Sequence, residues 1–551
     1  MDFIFSSDQS HVGVIRSRII DIDAHESSRL EVTSGAWGTC VATGSQYAFG
    51  AMDSESHLLM VLGDPLGNRS GRREGGVRGS SLEAYPQSRL QEFLVDGGME
   101  HPSAIVQISK STGSIDVVTD VYLGVPIFLR VDRGVVMLAS SPDLLAAILP
   151  TSFDADSAIE RLSMGVISSP HTLYREIKAL SPASVIRIEA DGTVRDRKWW
   201  QPPFPDESAD VADFREELHS SVLSTLCRIA SSHPGQSGAF TLSAGLDSRF
   251  MVMMALKEQV CDFTAVNLAL GTNIPARTAV HVARRAHVPL ISMQRPTDFY
   301  SRLLLQGHPE IGTNACIADA HFADRALGDL EGAHWLVGGY SADVMLKGSS
   351  TSGRYAAVRE VVRTGEPLPR LATGPQLIDI TPTIASMLDS RQTQARRSLG
   401  MSEHHSSLAD HVSLHRASFG HFAAATRNYA VYEPFMTRRL IELSYRIPDA
   451  VKTRVLKSHW YQPYLDGQET GRLFSTRVKA ERRLRRATGT GLKQQGEWSQ
   501  SEGPLWQECL VAAESARFRL SGELGLEITM KRKRLPMALT LSTAQALQRC
   551  T

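Results

Sequence analysis

The chain has 551 residues, in which 59 Lys plus Arg balance 59 Asp plus Glu, and its pI is near 7.3. That length allows roughly two to four domains with ample cores, and the charge balance excludes a global field that would draw nucleic acid or an anionic membrane surface. The cysteines, Cys40, Cys227, Cys261, Cys316, Cys509 and Cys550, have no CxxC spacing, so neither a zinc site nor a disulfide framework is signalled and a reducing cytosol fits.

The N-terminus, MDFIFSSDQSHVGVIRSR, has no charged region ahead of a long apolar core, and no window reaches ~18 uncharged apolar residues. The expectation is a soluble, cytoplasmic protein with no membrane or nucleic-acid partner. From residue 1 to about 205 short β-forming runs alternate with Gly, Asp, Asn and Ser, as in GAWGTCVATGSQYAFGAM and HLLMVLGDPLG. Helices are predicted over 142–148 and 156–165, which makes 1–205 a sheet-rich α+β domain.

Within it, DVYLGVPIFLR followed by MLASSPDLLAAI is similar to the D-x-x-G-x-x-P-L-Y-Y and F-A-S-E-x-K-A-L stretches of class II glutamine amidotransferase domains in asparagine synthetases. HTLYREIKALSPASVIRI, then Trp199 and Trp200, resembles the stretch that closes that domain. The resemblance implies an Ntn-like sandwich. That family needs a cysteine directly after the initiator methionine, and here the position is Asp2. Cys40, in a strand context, reads as a small buried hydrophobe. The expectation is a degenerate amidotransferase domain that no longer makes ammonia.

QPPFPDESAD (201–210) is a proline-rich, polar linker, and 206–551 forms the second domain. A helix over 213–229 precedes the stretch FTLSAGLDSRF, Phe240 to Phe250. An apolar strand, a small-residue turn and a helix in that order direct backbone N–H groups and a helix N-terminus at one spot, which suits a phosphate. Gly245 lets the backbone approach an anion, and Asp247 can hold a magnesium ion. The invariant lysine of the P-loop is missing. Strands over 262–270 and VPLISMQ, with a helix over 275–286 between them, argue a parallel, doubly wound sheet with ligands at its strand C-termini, so Ser243 and Val266 face one crevice.

The loop looks like the SGGxDS pyrophosphate loop of the N-type ATP pyrophosphatases, with Ala244 in place of the first family glycine. WLVGGYSADVMLKG (335–348) resembles the G-E-G-A-D-E-L-F-G-G-Y segment of asparagine synthetases. By that match Asp343 falls on the second magnesium aspartate and Gly338 and Gly339 on the backbone lining AMP, with Tyr340 in place of the family glutamate. Read together, Leu242, Ser243, Gly245, Asp247, Ser248, Val266, Gly338 and Gly339 line ATP, while Asp247 and Asp343 hold Mg2+.

From 349 to 420 loops with interspersed helices are expected, and His404 and His405, lacking metal-spaced partners, read as solvated surface. The stretch 426–465 resembles the R-x-P-F-L-D-x-x-L-x-E-x-A-x-x-I-P…K segment of asparagine synthetases, with Pro434-Phe435 and Ile447-Pro448 in register. Lys457 best matches the catalytic lysine and Lys452 competes with it. The dense basic run over 477–494 reads as a solvated helix face or a surface for an acidic peptide. Amphipathic helices follow over 518–550.

The resemblance to the asparagine synthetase superfamily implies a C-terminal α/β synthetase domain, adenine nucleotide alpha hydrolase-like, that adenylates a carboxylate and lets an amine displace AMP. Without glutaminase chemistry the amine comes from the substrate, as in lasso-peptide macrolactam cyclases and β-lactam synthetases. Tyr340 with Glu433 then deprotonates the amine and Lys457 steadies the developing charge. The expected partner is a peptide substrate with a precursor-processing protease. A β-lactam synthetase-like small-molecule cyclase, an ammonia-using asparagine synthetase and an inactive scaffold stay open.

Overall fold

The computed structural model describes residues 2–22, 29–44, 49–66, 99–269, 274–294, 299–306, 333–348, 350–368, 371, 376–410, 430–465, 504–529 and 534–550. The N-terminal part is a sandwich of two six-stranded antiparallel sheets. Its strands are β1 Asp2–Ser6, β2 Arg29–Gly35, β3 Gly38–Gly44, β4 Phe49–Asp53, β5 His57–Gly63, β6 Ser103–Ser109, β7 Ile115–Thr119, β8 Phe128–Asp132, β9 Val135–Ala139, β10 Lys178–Ala179, β11 Ser184–Ile188 and β12 Val194–Lys198. They run β10-β8-β9-β1-β3-β2 in one sheet and β12-β11-β7-β6-β5-β4 in the other. Alternation along each strand decides the layers. Phe3 and Phe5 of β1 join Leu58, Met60 and Leu62 of β5 in the main core, whereas Ile4 turns to the opposite face, toward Leu144, Leu145 and Leu162 of the helices Pro142–Ala146 and Ala155–Met164. Cys40 is buried with its Sγ 3.3 Å from Met60 Sδ, the apolar filling expected of it.

The third sheet is wholly parallel. Its strands are β13 Ser237–Thr241, β14 Phe263–Ala269, β15 Leu290–Gln294, β16 Ala333–Val337 and β17 Ala430–Tyr432, in the order β15-β14-β13-β16-β17. The order reverses between β13 and β16, so their carboxyl ends open a crevice at the point where an open parallel sheet takes ligands. The helix Val211–Ser232 leads into β13; Asp210 caps it reciprocally with Asp213, and Phe214, Leu218, Val222, Leu226 and Ile229 form its buried stripe. β17 is a strand the sequence pattern does not reveal: three residues carry too little periodicity to read.

Both parts share one continuous core, in which Phe3 and Val106 belong to the same cluster as Phe240 and Trp335. The predicted linker is docked rather than free: Asp206 N–H bonds Arg446 O at 2.8 Å, and Pro202 O accepts from His405 Nε2 at 3.1 Å. This corrects the reading of His405 as solvated surface. It is buried, with its Nδ1 accepting Ser402 N–H at 3.0 Å, while His404 stays exposed. The described residues of the 349–420 region hold the helices Ser350–Thr364 and Pro382–Ser398 among loops, as expected. Tyr355 and Arg391 on those helices meet Glu160, which is fully buried in the N-terminal part. The C-terminal helices are Pro504–Leu524 and Arg534–Cys550, so the first begins well ahead of residue 518. The basic run over 477–494 lies outside the described residues.

Asp120 organises the turn that faces the parallel sheet, where Tyr122 meets Ser341. Its Oδ1 accepts Tyr122 N–H at 2.6 Å and Gly124 N–H at 3.4 Å, and its Oδ2 accepts Ser103 N–H at 3.2 Å. Burial pushes its carboxyl up to about 7, against the pull of those N–H groups. A raised carboxyl contributes stability that is complete below the unfolded value of 3.8 and lost as pH rises through about 7. The gap in stability between wild type and Asp120→Asn should therefore shrink by up to ~4 kcal/mol from pH 4 to pH 8. Chemical denaturation of both proteins across that range checks it; a gap constant with pH would place the proton elsewhere.

Candidate active site at the sheet switch point

The first wall of the crevice is the turn after β13. Leu242 continues the strand line, its N–H bonding Val266 O at 2.7 Å and its carbonyl accepting Asn267 Nδ2 at 2.6 Å. Ser243, Ala244 and Gly245 then swing into the helix Leu246–Lys257, with Gly245 as N-cap. Two N–H groups expected to be open to an anion are taken within the loop: Ser243 N–H bonds Ser248 Oγ at 3.0 Å and Gly245 N–H bonds Ser243 Oγ at 3.0 Å. The Ser243 and Ser248 hydroxyls, 3.0 Å apart, hold the loop closed on itself. Phosphate oxygens would compete with them for the same N–H groups.

The second wall is the turn after β16, where two glycines are required by close approach. A Cβ on Gly338 would stand 2.2 Å from Glu433 Oε1, and one on Gly339 would stand 3.1 Å from both Asp247 Cβ and Ser248 N. The two turns thus press against each other only because position 339 has no side chain. Ser341, at φ +71°, reverses the chain in a left-handed conformation and starts the short helix Ala342–Lys347. Tyr122 of the N-terminal sandwich hydrogen-bonds Ser341 Oγ, so the Asp120 turn braces this strained residue.

A third segment closes the site. Lys457 begins a single-turn helix, Lys457–Trp460, and its Nζ donates to Asp247 and, at 2.5 Å, to Asp343 Oδ1. Lys347, one turn after Asp343, adds an ammonium at 2.9 Å. Tyr461 donates its hydroxyl to Asp247 and stacks on Phe250, with ring centroids 4.4 Å apart. Burial pushes the Asp247 carboxyl above its ordinary value despite Lys457 and Tyr461, and the charge of Asp343 adds to that. Burial acts in the same direction on Asp343 but is outweighed by hydrogen bonds from Lys457 and Lys347, so this carboxyl lies below its ordinary value. The difference follows exposure: the Asp343 side chain is 66% accessible and that of Asp247 19%.

The two carboxylates are of a kind that fits magnesium held together with phosphate oxygens. Mg2+ is bound through one or two carboxylates together with phosphates and water, and two carboxylates from different turns are what the site holds. No group of three or more His, Cys, Asp or Glu with metal-holding geometry occurs among the described residues. At Gly338 and Gly339 the space a side chain would take is filled by the Glu433 carboxylate and by the Asp247–Ser248 backbone, so these glycines serve the packing of the two turns. Asn267 Oδ1, buried beside Leu242, has no partner among the described residues, so a donor on a bound ligand would satisfy it.

Glu433, directly after β17, is fully buried. Its Oε2 accepts the backbone N–H of Tyr340 at 2.8 Å, which makes it a clamp on the Gly338–Tyr340 turn. The contact between the two expected catalytic partners is therefore a positioning bond from the Tyr340 backbone. Glu433 N–H in turn donates to His101 Nε2 at 3.0 Å, and His101 Nδ1 bonds Asp64 O at 3.2 Å, so the neutral ring carries its proton on Nδ1. Burial holds this imidazole down to about 4 and keeps it neutral. Lys452, the competing lysine, is buried beneath the site. Its Nζ donates to Ser444 Oγ at 3.0 Å, and burial pushes it down to about 7.

Sequence reasoning missed four residues: Tyr461, Arg249, Tyr122 and His101. Tyr461 lies four positions after Lys457, a helical spacing that places both on one side of a turn. Arg249 is a charge set directly between the small-residue turn and the apolar run Phe250 to Leu256, which is itself a signal. Tyr122 and His101 carry no local signal, because each acts across the interface between the two parts.

No known protein family matches the sequence, and no curated protein matches it. Among solved structures, the chain is similar to an allosteric regulatory enzyme of purine biosynthesis, at 10% identity and TM-score 0.26, over 53% of this chain and 80% of that one. It is similar also to the glutamine phosphoribosylpyrophosphate amidotransferase from B. subtilis, complexed with ADP and GMP, at 9% identity and TM-score 0.25, over 53% of this chain and 81% of that one. At those scores the likenesses carry no argument, and the architecture stands on its own strand pairings. No described helix is long and apolar enough to cross a membrane.

Proposed function

We propose that this chain is an ATP-dependent carbon–nitrogen ligase that adenylates a substrate carboxylate and lets an amine of the same substrate displace AMP. The observation that carries the reading is the convergence of Asp247, Asp343 and Lys457, from three separate segments, at the carboxyl ends of β13 and β16. A carboxylate oxygen attacks the α-phosphorus, the bond to the β-phosphate breaks, and pyrophosphate leaves. Magnesium bound at the two aspartates supplies charge neutralisation for that departure. The β13 turn, with Leu242, Ser243, Gly245 and Ser248, holds the phosphates, and Gly338 and Gly339 offer bare backbone to the AMP portion beside it. Lys457, once drawn from the carboxylates, steadies charge on the phosphate and on the tetrahedral oxyanion. Tyr340, its backbone held by Glu433, takes the proton of the attacking amine.

The substrate class we favour is a peptide closed into a macrolactam, delivered by a precursor-processing protease. Leu456, 75% exposed immediately before Lys457, offers an apolar contact at the rim that a peptide can cover and ammonia cannot. The test is exchange of labelled pyrophosphate into ATP with candidate acceptors. Exchange with a linear peptide bearing a free α-amine and a side-chain carboxylate is the expected result. Exchange with aspartate alone would favour an ammonia-using asparagine synthetase, and exchange with a small β-amino acid a β-lactam synthetase-like cyclase. Absence of ATP binding by calorimetry would overturn the ligase reading.

A further inference from the structure

Arg249 occupies the second position after Asp247 and is only 9% exposed. Its Nε donates to Gly245 O at 3.2 Å, the N-cap carbonyl of the helix Leu246–Lys257. That bond folds the side chain back along the helix and places the guanidinium at its N-terminal end, beside the Ser243–Gly245 turn. The terminal nitrogens have no hydrogen-bond or ion-pair partner among the described residues. The one carboxylate in the same first turn, Asp247, accepts its hydrogen bonds from Lys457 and Tyr461 and reaches Arg249 only as a charge through space, which burial outweighs.

This placement is unfavourable in a protein with nothing to bind there. A guanidinium at a helix N-terminus meets the positive end of the helix dipole, and a nearly buried cation without a directly paired counter-charge keeps much of its desolvation cost. Both penalties reverse when an anion with several oxygens enters the turn. The planar fork then offers donors to two oxygens at once, alongside the Ser243 and Gly245 N–H groups for which the anion competes with the serine hydroxyls.

We infer that Arg249 is a ligand of the pyrophosphate portion of the nucleotide, an anion-binding residue additional to the turn itself. The inference rests on the adenylating-ligase reading and adds to it the residue that holds the departing pyrophosphate. Because Arg249 reaches back from the helix to the β13 turn, it discriminates between the two products: it serves pyrophosphate and not AMP, which lies toward Gly338 and Gly339.

The experiment is calorimetric titration of the full chain with inorganic pyrophosphate plus magnesium chloride, and separately with AMP, in wild type, Arg249→Met and Arg249→Lys. Arg249→Met should lose about tenfold or more in pyrophosphate affinity, as expected when charge-assisted hydrogen bonds are removed, while AMP affinity stays within about twofold of wild type. Arg249→Lys should fall between them. Thermal melts add a readout that a structural role would not produce. Without ligand Arg249→Met should melt no lower than wild type, and only its stabilisation by pyrophosphate should be lost. Equal pyrophosphate affinity in wild type and Arg249→Met, with AMP binding intact, would overturn the assignment and leave the ligase reading standing. Equal losses for both ligands, or a lower melting point without ligand in both variants, would make Arg249 a structural residue. Wild type that binds neither ligand would remove the nucleotide site and the assignment together.

Discussion

Asp247→Asn and Asp343→Asn will each lower substrate-dependent pyrophosphate release by at least ~100-fold while leaving a folded protein. The size follows from what the metal does, since charge stabilisation by a bound divalent cation is worth several kcal/mol and 1.36 kcal/mol is about tenfold in rate. The structure separates the two variants by their effect on the free enzyme. Asp247 is half of a largely enclosed contact with Lys457 and Tyr461, so its loss leaves the Tyr461 hydroxyl and the Lys457 ammonium with fewer partners. Asp343 is mostly exposed and shares its charge with two lysines, so its removal should barely move the melting point. Activity assays and melting curves read together check this. Turnover retained in both variants would remove the metal assignment, and equal melting shifts would contradict the burial difference between the two carboxylates.

Lys457→Ala is expected to give the second large effect, ~10²–10³ in the rate of amide formation, the usual loss when one positioned oxyanion donor is removed. It should also change the free enzyme in a way an activity assay does not see. Lys457 is the cation that lies between Asp247 and Asp343. Without it two carboxylates face each other, and magnesium chloride alone should raise the melting point of Lys457→Ala more than that of wild type. Lys452→Ala should behave differently: that lysine bonds Ser444, whose own hydroxyl donates to Met345 O in the helix of Asp343. Its loss should lower stability with no gain in response to magnesium. Should Lys452→Ala show the magnesium response and the rate loss, the roles of the two lysines would be exchanged. Tyr340→Phe should spare pyrophosphate exchange and slow only the amine step.

β13, its turn and the helix after it are legible in the sequence because an apolar run, a cluster of small residues and a helical pattern follow one another without interruption. The same holds for β16 and its glycines, and for Cys40 as core filling. His405 reads as surface because a histidine pair in a polar stretch carries no sign of what packs over it, and here Pro202 of the linker does. β17 escapes notice because a three-residue strand is defined by its parallel partner β16 and not by its own pattern. Tyr340 and Glu433 do meet in space, but which of their atoms touch depends on how Gly338 lets the Glu433 carboxylate underneath the turn.

By itself, then, the sequence determined the types of element, the parallel sheet and the candidate phosphate turn, since these depend on residues within one or two turns of each other. Only the tertiary structure decided that Lys457 rather than Lys452 meets the two aspartates, that Tyr122 and His101 of the sandwich support Ser341 and Glu433, and that Arg249 points its charge at a helix N-terminus. Each of these is a contact between segments whose separation in the chain erases any local pattern, and burial and charge can choose among them only once the sheet has brought the ends of β13, β16 and β17 together.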